Sequence, residues 1–334
     1  MPSLRTEVTE IVTGLAMLGV GDVDWALAER PAAMANVDDA HWERLAAARH
    51  DPAHAADFSS AWANGLAFLR ATDGLRGRPP RQVEWKGPDK LPAVADVPAD
   101  LRIDHVYLVS CKYLSKILRN SSPAGLFDGC LGERPADTVA DWYALAAPGE
   151  YEDLWQAVRD DLPDTELPHA VDALDRPQRD ALAVALRGKL NPQVDKAYRG
   201  FAHAVADRSA DRWRAALPDA PARERMLWRM LRLTGAPYFV LGSSGATSLR
   251  LRIDTPWDWR QRFRLKAFEV WGEPAGQPLV RWQAAVTDKE SGADRSVRGH
   301  VEVRWSHGRF RGAPEAKVYL DTPPGDVPGF WPLT

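Results

Sequence analysis

The sequence predicts a mixed α+β fold, with N-terminal helices leading into an α/β core, a helical middle, and a C-terminal antiparallel β-sheet or barrel. Three observations predict it. Apolar residues recur at spacings of three and four over the first 75 residues and again from 138 to 233. β-formers concentrate at 101–113. From 238 to 320, short alternating runs follow one another between Gly, Pro and Asp turns. A chain of 334 residues is long enough for two or three packed units, and the changes of pattern divide it at 1–135, 136–235 and 236–334.

In the first division, "RTEVTEIVTGLAML" and "DFSSAWANGLAFLRATDGLRG" read as amphipathic helices, the second capped by Asp57 or Ser59. "RGRPP" interrupts the pattern, "RQVEWKG" reads as a short strand, and "PDKLPAVADVPAD" is a Pro-rich connection. Apolar residues of both parities near Val106 to Val109 predict a strand covered on both faces. In the helical middle, "TVADWYALA", "EYEDLWQAVRDDL", "RPQRDALAVALRGKL", "QVDKAYRGFAHAVADRSADRWRAAL" and "ARERMLWRMLRL" each carry the helical period. In the last division, "YFVLG", "SLRLRID", "FRLKAFEVWG", "LVRWQAAVTD", "HVEVRWSH" and "AKVYLD" read as strands.

Composition narrows the function. No run approaches 18 apolar residues, so no membrane span is expected. The start lacks a basic n-region and a small-residue cleavage site, so no secretory signal is expected. Cys111 and Cys130 are the only cysteines, which fits a reducing cytoplasm and excludes a disulfide framework or a Cys-based zinc site. The net charge of −3 conceals an asymmetry. Between Lys196 and Lys317 stand 23 Lys and Arg against 13 Asp and Glu, leaving 20 basic and 33 acidic residues elsewhere. A basic segment on an acidic chain suits a polyanion partner, because Lys and Arg displace counterions from phosphates. There is no G-x-x-x-x-G-K-S/T phosphate loop, and Gly19-Val-Gly21 lacks the third glycine of a dinucleotide site. Pro52 interrupts the His50/His54 pair, "GSSG" at 242–245 reads as a turn, and His203 lies on an apolar helix stripe.

The stretch "DLRIDHVYLVSCKYLSKILRNSSP" concentrates groups of another kind. Phosphodiester hydrolysis with a divalent metal needs carboxylates to hold the ion, a Lys to support the attacking water, and basic or hydroxyl groups on the flanking phosphates. Ser110-Cys111-Lys112 on a strand, with acids just upstream and "KILRNSSP" just after, resembles the PD-(D/E)xK nuclease superfamily. It is most similar to type II restriction endonucleases, with Ser in place of the middle acid. The resemblance covers roughly residues 80–130. It implies a nuclease-like α/β core, Mg²⁺, and hydrolysis of a DNA backbone, with catalytic roles for Lys112, Ser110 and neighbouring acids.

Spacing constrains which acids serve. At about 3.3 Å per residue, Asp104 stands roughly 20 Å from Ser110 on a straight strand, too far to share a metal with Lys112. If the chain turns near Ile103 to His105, Asp100 returns beside Leu108 to Ser110. A three-residue turn puts Asp100 on the face of Ser110 and Lys112, and a two-residue turn does not. Glu84 is the third candidate metal acid, and Glu84-Trp85-Lys86 is itself a rival acid-x-Lys triplet. Lys116, Arg119, Asn120, Ser121 and Ser122 are candidate phosphate donors, with Ser121 or Ser122 doubling as a helix N-cap before Pro123.

A second constellation lies near the C-terminus. Arg260, Arg262, Arg264 and Lys266 alternate with Gln261, Phe263 and Leu265, while His300, Glu302, Arg304 and Ser306 share one strand face and Val301, Val303 and Trp305 the other. With His307, Arg309 and the tryptophans at 257, 259, 271 and 305, this pattern suits phosphate contact and base stacking. It equally suits a sheet whose arginines pair with surface acids over a Trp-filled core. The expectation is a cytoplasmic Mg²⁺-dependent DNA endonuclease of restriction or defence type, acting on double-stranded DNA, for which a homodimer would suit cutting both strands. The alternatives are a non-catalytic DNA-binding protein with a degenerate nuclease fold, which Ser110 would fit, and a scaffold with no polyanion partner.

Overall fold

The computed structural model describes residues 3–87, 97–113, 117–129, 141–163, 165–244, 247–274 and 276–334. Helices α1 (Leu4–Met17) and α2 (Val23–Glu29) come first, then the two-residue strand β1 (Met34–Ala35), α3 (Asp39–Arg49) and α4 (Ala55–Arg70). Strands β2 (Val83–Trp85), β3 (Leu101–Ile103), β4 (Tyr107–Tyr113) and β5 (Ile117–Ser121) follow. Six helices come next: α5 (Pro123–Phe127), α6 (Trp142–Ala146), α7 (Pro148–Asp161), α8 (Arg176–Ala185), α9 (Pro192–Ala215) and α10 (Ala220–Leu231). The chain ends through β6 (Tyr238–Ser244), β7 (Thr247–Ile253), α11 (Pro256–Arg262), β8 (Phe263–Pro274), β9 (Pro278–Asp288), β10 (Asp294–Arg304), β11 (Glu315–Leu320) and β12 (Phe330–Pro332). This is a mixed α+β fold with two open sheets. Among the described residues, no helix is long and apolar enough to cross a membrane.

The elements belong to two compact units, neither contiguous in sequence. The first comprises Met1–Lys116, Arg232–Arg262 and Pro324–Thr334; the second comprises Ile117–Leu231 and Phe263–Pro323. The 236–334 segment therefore contributes to both, its first two strands joining the N-terminal half.

In the first unit a seven-stranded sheet runs in the order β1-β2-β3-β4-β6-β7-β12, antiparallel except where β1 meets β2 and β4 meets β6. Val8, Ile11, Val12 and Leu15 of α1 and Phe58 and Phe68 of α4 are buried in one core with Val83, Trp85, Leu101, Ile103, Val109 and Leu241 of the strands. Tyr107, Val109 and Cys111 of β4 face this core, so Ser110 lies on the other face of the strand. Helices α1 and α4 cross closely at Gly65, where a Cβ would sit 2.2 Å from the Thr13 carbonyl oxygen.

In the second unit a five-stranded antiparallel sheet runs β5-β11-β10-β9-β8, with α9 packed on β8 and β9. On β10, Val297, Val301 and Val303 are buried, while Arg298, His300, Glu302 and Arg304 alternate with them on the other face.

Two expectations change. The run at 101–113 is a hairpin, not one doubly covered strand. Asp104 and His105 both adopt positive φ (46° and 60°), and the Val106 N–H donates to the Ile103 carbonyl at 2.9 Å. Val106, which looked like strand interior, is 70% exposed at the turn. Likewise, Arg260 and Arg262 stand on α11 rather than on an alternating strand. The Thr255 hydroxyl donates to Asp258 at 2.7 Å, and the Asp258 N–H donates back to that hydroxyl at 3.2 Å. Asp258 sits in the first turn, so this local capping outcompetes the short-range β pattern.

Candidate active site

The hairpin decides which acid meets Lys112. Ile103 pairs with Tyr107 and Leu101 with Val109, so residues 104–106 form a three-residue turn and Asp100 lies opposite Ser110. The Asp100 N–H donates to the Val109 carbonyl at 2.8 Å. Its Oδ2 accepts the Cys111 N–H at 2.7 Å and the Ser110 hydroxyl at 3.2 Å. Ser110, fully buried, thus orients the acid across the strand pair. The end of β4 is held from its other side. Gly242 on β6 pairs with Lys112 in parallel register, and a Cβ there would lie 2.0 Å from the Lys112 carbonyl oxygen.

Asp100, Cys111 and Lys112 line a pocket of about 310 Å³ with Ser3, Arg5, Thr6, Thr9 and Glu10 of the α1 N-terminal segment. Burial pushes the Lys112 ammonium below its ordinary value, against the attraction of Asp100. Burial also drives the Cys111 thiol well up, reinforced by Asp100 and Glu10, so this cysteine is no nucleophile. Glu10 is steadied by Trp85, whose indole N–H donates to its Oε2 at 2.7 Å. Trp85 is 1% exposed and meets the His41 ring edge-on at 4.7 Å. Arg5 is tied to Asp57 at 2.9 Å.

Two of the predicted metal acids are engaged elsewhere. The Asp104 carboxylate accepts the N–H groups of Arg81 and Gln82 at 2.8 and 3.0 Å, which makes it a clamp on the hairpin turn. It sits at the far end of the hairpin, several residues along β4 from Lys112. Glu84 receives both Arg102 guanidinium donors, at 2.6 and 2.7 Å, with His105 at 3.1 Å. The Arg102 hydrogen bonds hold its carboxyl below the usual carboxylate value. In the rival triplet, therefore, the acid is spent on the sheet surface. The carboxylate that lines the pocket besides Asp100 is Glu10, absent from the sequence reading. No local pattern sets it apart: α1 also carries Glu7, and that is the acid buried on the helix.

The oxygen donors fit Mg²⁺, which binds through one or two carboxylates and completes its shell with water and phosphate oxygens. Among the described residues no cluster of three or more His, Cys, Asp or Glu is arranged to hold a metal; the carboxylates lining this pocket are those of Glu10 and Asp100.

The candidate phosphate donors fall on several elements. Lys116 lies outside the described residues. Arg119, Asn120 and Ser121 are on β5 in the second unit, and Ser122 is the N-cap of α5, accepting the Gly125 N–H at 3.1 Å. Asn120, Lys317 and Ser306 all converge on the Glu315 carboxylate. Arg304 is paired with Glu302 at 3.1 Å. Arg309 donates to the Leu186 and Gly188 carbonyls and lies over the Tyr198 ring at 5.4 Å. Arg262 lies over the Trp331 ring at 4.8 Å, Arg260 is exposed on α11, and Arg264 is exposed on β8. His307 is exposed beyond β10. Of the four tryptophans, Trp259 is fully buried and Trp305 packs among Tyr143, Phe201 and Phe310, while Trp257 and Trp271 remain 72% and 38% exposed. No family model, no curated protein and no solved structure matches the chain.

Proposed function

We propose that the chain is a Mg²⁺-dependent DNA endonuclease of restriction or defence type, acting in the cytoplasm, with a homodimer as the form that cuts both strands. The observation that supports this reading is that Glu10 of α1 lines one open pocket with Asp100 and Lys112 of the hairpin, 90 residues or more further along the chain. The resemblance of Ser110-Cys111-Lys112 to the PD-(D/E)xK motif supports it independently.

In this reading Glu10 and Asp100 would hold the ion. Bound Mg²⁺ acidifies water and neutralises charge on the phosphate. Ser110 and the Cys111 N–H fix the Asp100 carboxylate, and Trp85 fixes Glu10. Lys112 donates to the attacking water and steadies the developing negative charge. Its burial strengthens that interaction by excluding bulk solvent. Ser3, Arg5 and Thr6 also line the pocket, where their donors would grip the scissile phosphate.

Plasmid cleavage with Mg²⁺ tests it, using wild type, Lys112→Ala and the stem-preserving Lys112→Met. Removing a charge-stabilising donor should slow cleavage by about 100-fold or more, with the thermal midpoint of Lys112→Met close to wild type. Equal rates would remove Lys112 from the mechanism. Absence of cleavage by wild type, on modified as well as unmodified DNA, with a salt-dependent gel shift retained, would replace the enzyme by a non-catalytic DNA-binding protein.

A further inference from the structure

The second unit holds a larger pocket, about 480 Å³, between the start of α8 and the loop from β10 to β11. The loop is preformed. Gly308 and Phe310 adopt positive φ (115° and 62°), and Phe310 is 1% exposed, stacked on Tyr151. The Phe310 carbonyl accepts from Arg179 at 3.0 Å, and Arg309 is anchored on two carbonyls of the segment after α8. A Cβ at Gly308 would come within 2.7 Å of the Ala183 Cβ, so the loop lies directly against α8.

Around this rigid frame stand donors without acceptors. Trp305 lines the pocket, and its indole N–H is buried with no hydrogen-bond partner. Arg176 and His307 are exposed at the pocket, and neither has a partner among the described residues. Arg311 adds a second guanidinium, held at 2.8 Å by Asp180. Buried donors in native proteins are almost always satisfied, and the residues lining this pocket offer the unpaired Trp305 indole N–H and two unengaged cations to an acceptor-rich ligand. Two guanidinium groups suit a phosphate, which accepts their forked donors bidentately. Asp180 and Glu315 also line the pocket. They would repel a polyphosphate while accepting N–H or O–H groups of an attached base or sugar. The volume is within the range of small-molecule sites.

We infer that this pocket binds a monophosphorylated ligand of nucleotide size, either a free mononucleotide or a nucleotide unstacked from DNA. The inference does not depend on cleavage at Lys112. Only its second source, DNA, leans on the proposed function.

The test follows the Trp305 indole N–H in proton–nitrogen correlation spectra of the full chain, assigned through its loss in Trp305→Phe. Deoxyadenosine monophosphate, deoxyadenosine and a single-stranded oligonucleotide are titrated in turn. A shift with the monophosphate but not the nucleoside is expected, with affinity reduced roughly tenfold in Arg176→Ala/His307→Ala, as befits lost bonds to a charged group. A shift with the oligonucleotide alone supports the site and assigns DNA as its source. No shift with either phosphorylated ligand, an equal response to deoxyadenosine, or unchanged affinity in the double variant overturns it. Lys112→Ala should bind as wild type does, so a failed nuclease assay leaves this readout intact.

Discussion

The Lys112 pocket in the first unit and the cationic sheet in the second treat their charges in opposite ways. At the pocket, the supporting bonds to the acids come from neutral donors: Ser110 and a backbone N–H on Asp100, and an indole on Glu10. Such partners orient a carboxylate without bringing a charge of their own. On the sheet, charges meet opposite charges. Arg281 bridges Glu273 and Asp321, Arg304 meets Glu302, Lys317 meets Glu315, and Lys266 meets Asp294. A run of arginines in sequence is thus no guide to surface potential.

The strongest way to break this contrast is Trp85→Phe. The substitution keeps a buried ring but deletes the N–H that steadies Glu10. Loss of an outer partner of a metal-binding carboxylate typically costs 10- to 100-fold in metal affinity. The Mg²⁺ concentration giving half-maximal cleavage should rise by about that much. Saturating Mg²⁺ should restore most of the rate, which a merely destabilised core would not allow. An unchanged metal requirement would remove Glu10 from the ion's coordination.

Much of the fold was readable because periodicity reports burial locally. The five helical patterns between 138 and 233 correspond to α6 through α10, and the predicted strands "LVRWQAAVTD" and "AKVYLD" to β9 and β11. Asp100, rather than Asp104, was reachable by counting residues around a turn. What a single sequence conceals is partnership across distance. Glu10 stands 90 residues before Asp100, and nothing local marks the two as neighbours. The mixing of 232–262 into the N-terminal unit is hidden for the same reason: β6 pairs with β4 across the whole of the intervening helical segment. Capping chemistry misled too, since an Arg-rich alternation between Pro256 and Arg262 is a helix fixed by Thr255 and Asp258.

A smaller effect is expected at Glu84, the acid whose charge is cancelled within the first unit. Glu84→Gln should leave cleavage unaltered and lower stability by about 1 kcal/mol at neutral pH, since the partner Arg102 is itself partly exposed. The pH dependence has a definite sign. Arg102 depresses the folded-state value of Glu84, so the pair's contribution is fully present above the unfolded carboxylate value, about 4.3. It disappears as pH falls through the lower folded-state value. Wild type and Glu84→Gln should therefore differ in denaturant midpoint at neutral pH and converge in acid. A lost cleavage activity in Glu84→Gln would return Glu84 to the site.

The smallest effect should come from the sheet of the second unit. Lys266 donates to Asp294 at 2.6 Å, and that bond holds the Asp294 carboxyl below its usual value. If a DNA phosphate were bound there, Lys266 would have to leave its acid, and the carboxylate left behind would repel the same phosphate. Each phosphate contact contributes about 0.9 to the slope of log affinity against log salt. For Lys266→Gln the slope should fall by less than half that amount, because the lysine's charge is already answered within the protein. A full unit of slope lost would mean that the ion pair opens on binding and that Lys266 then meets a phosphate directly.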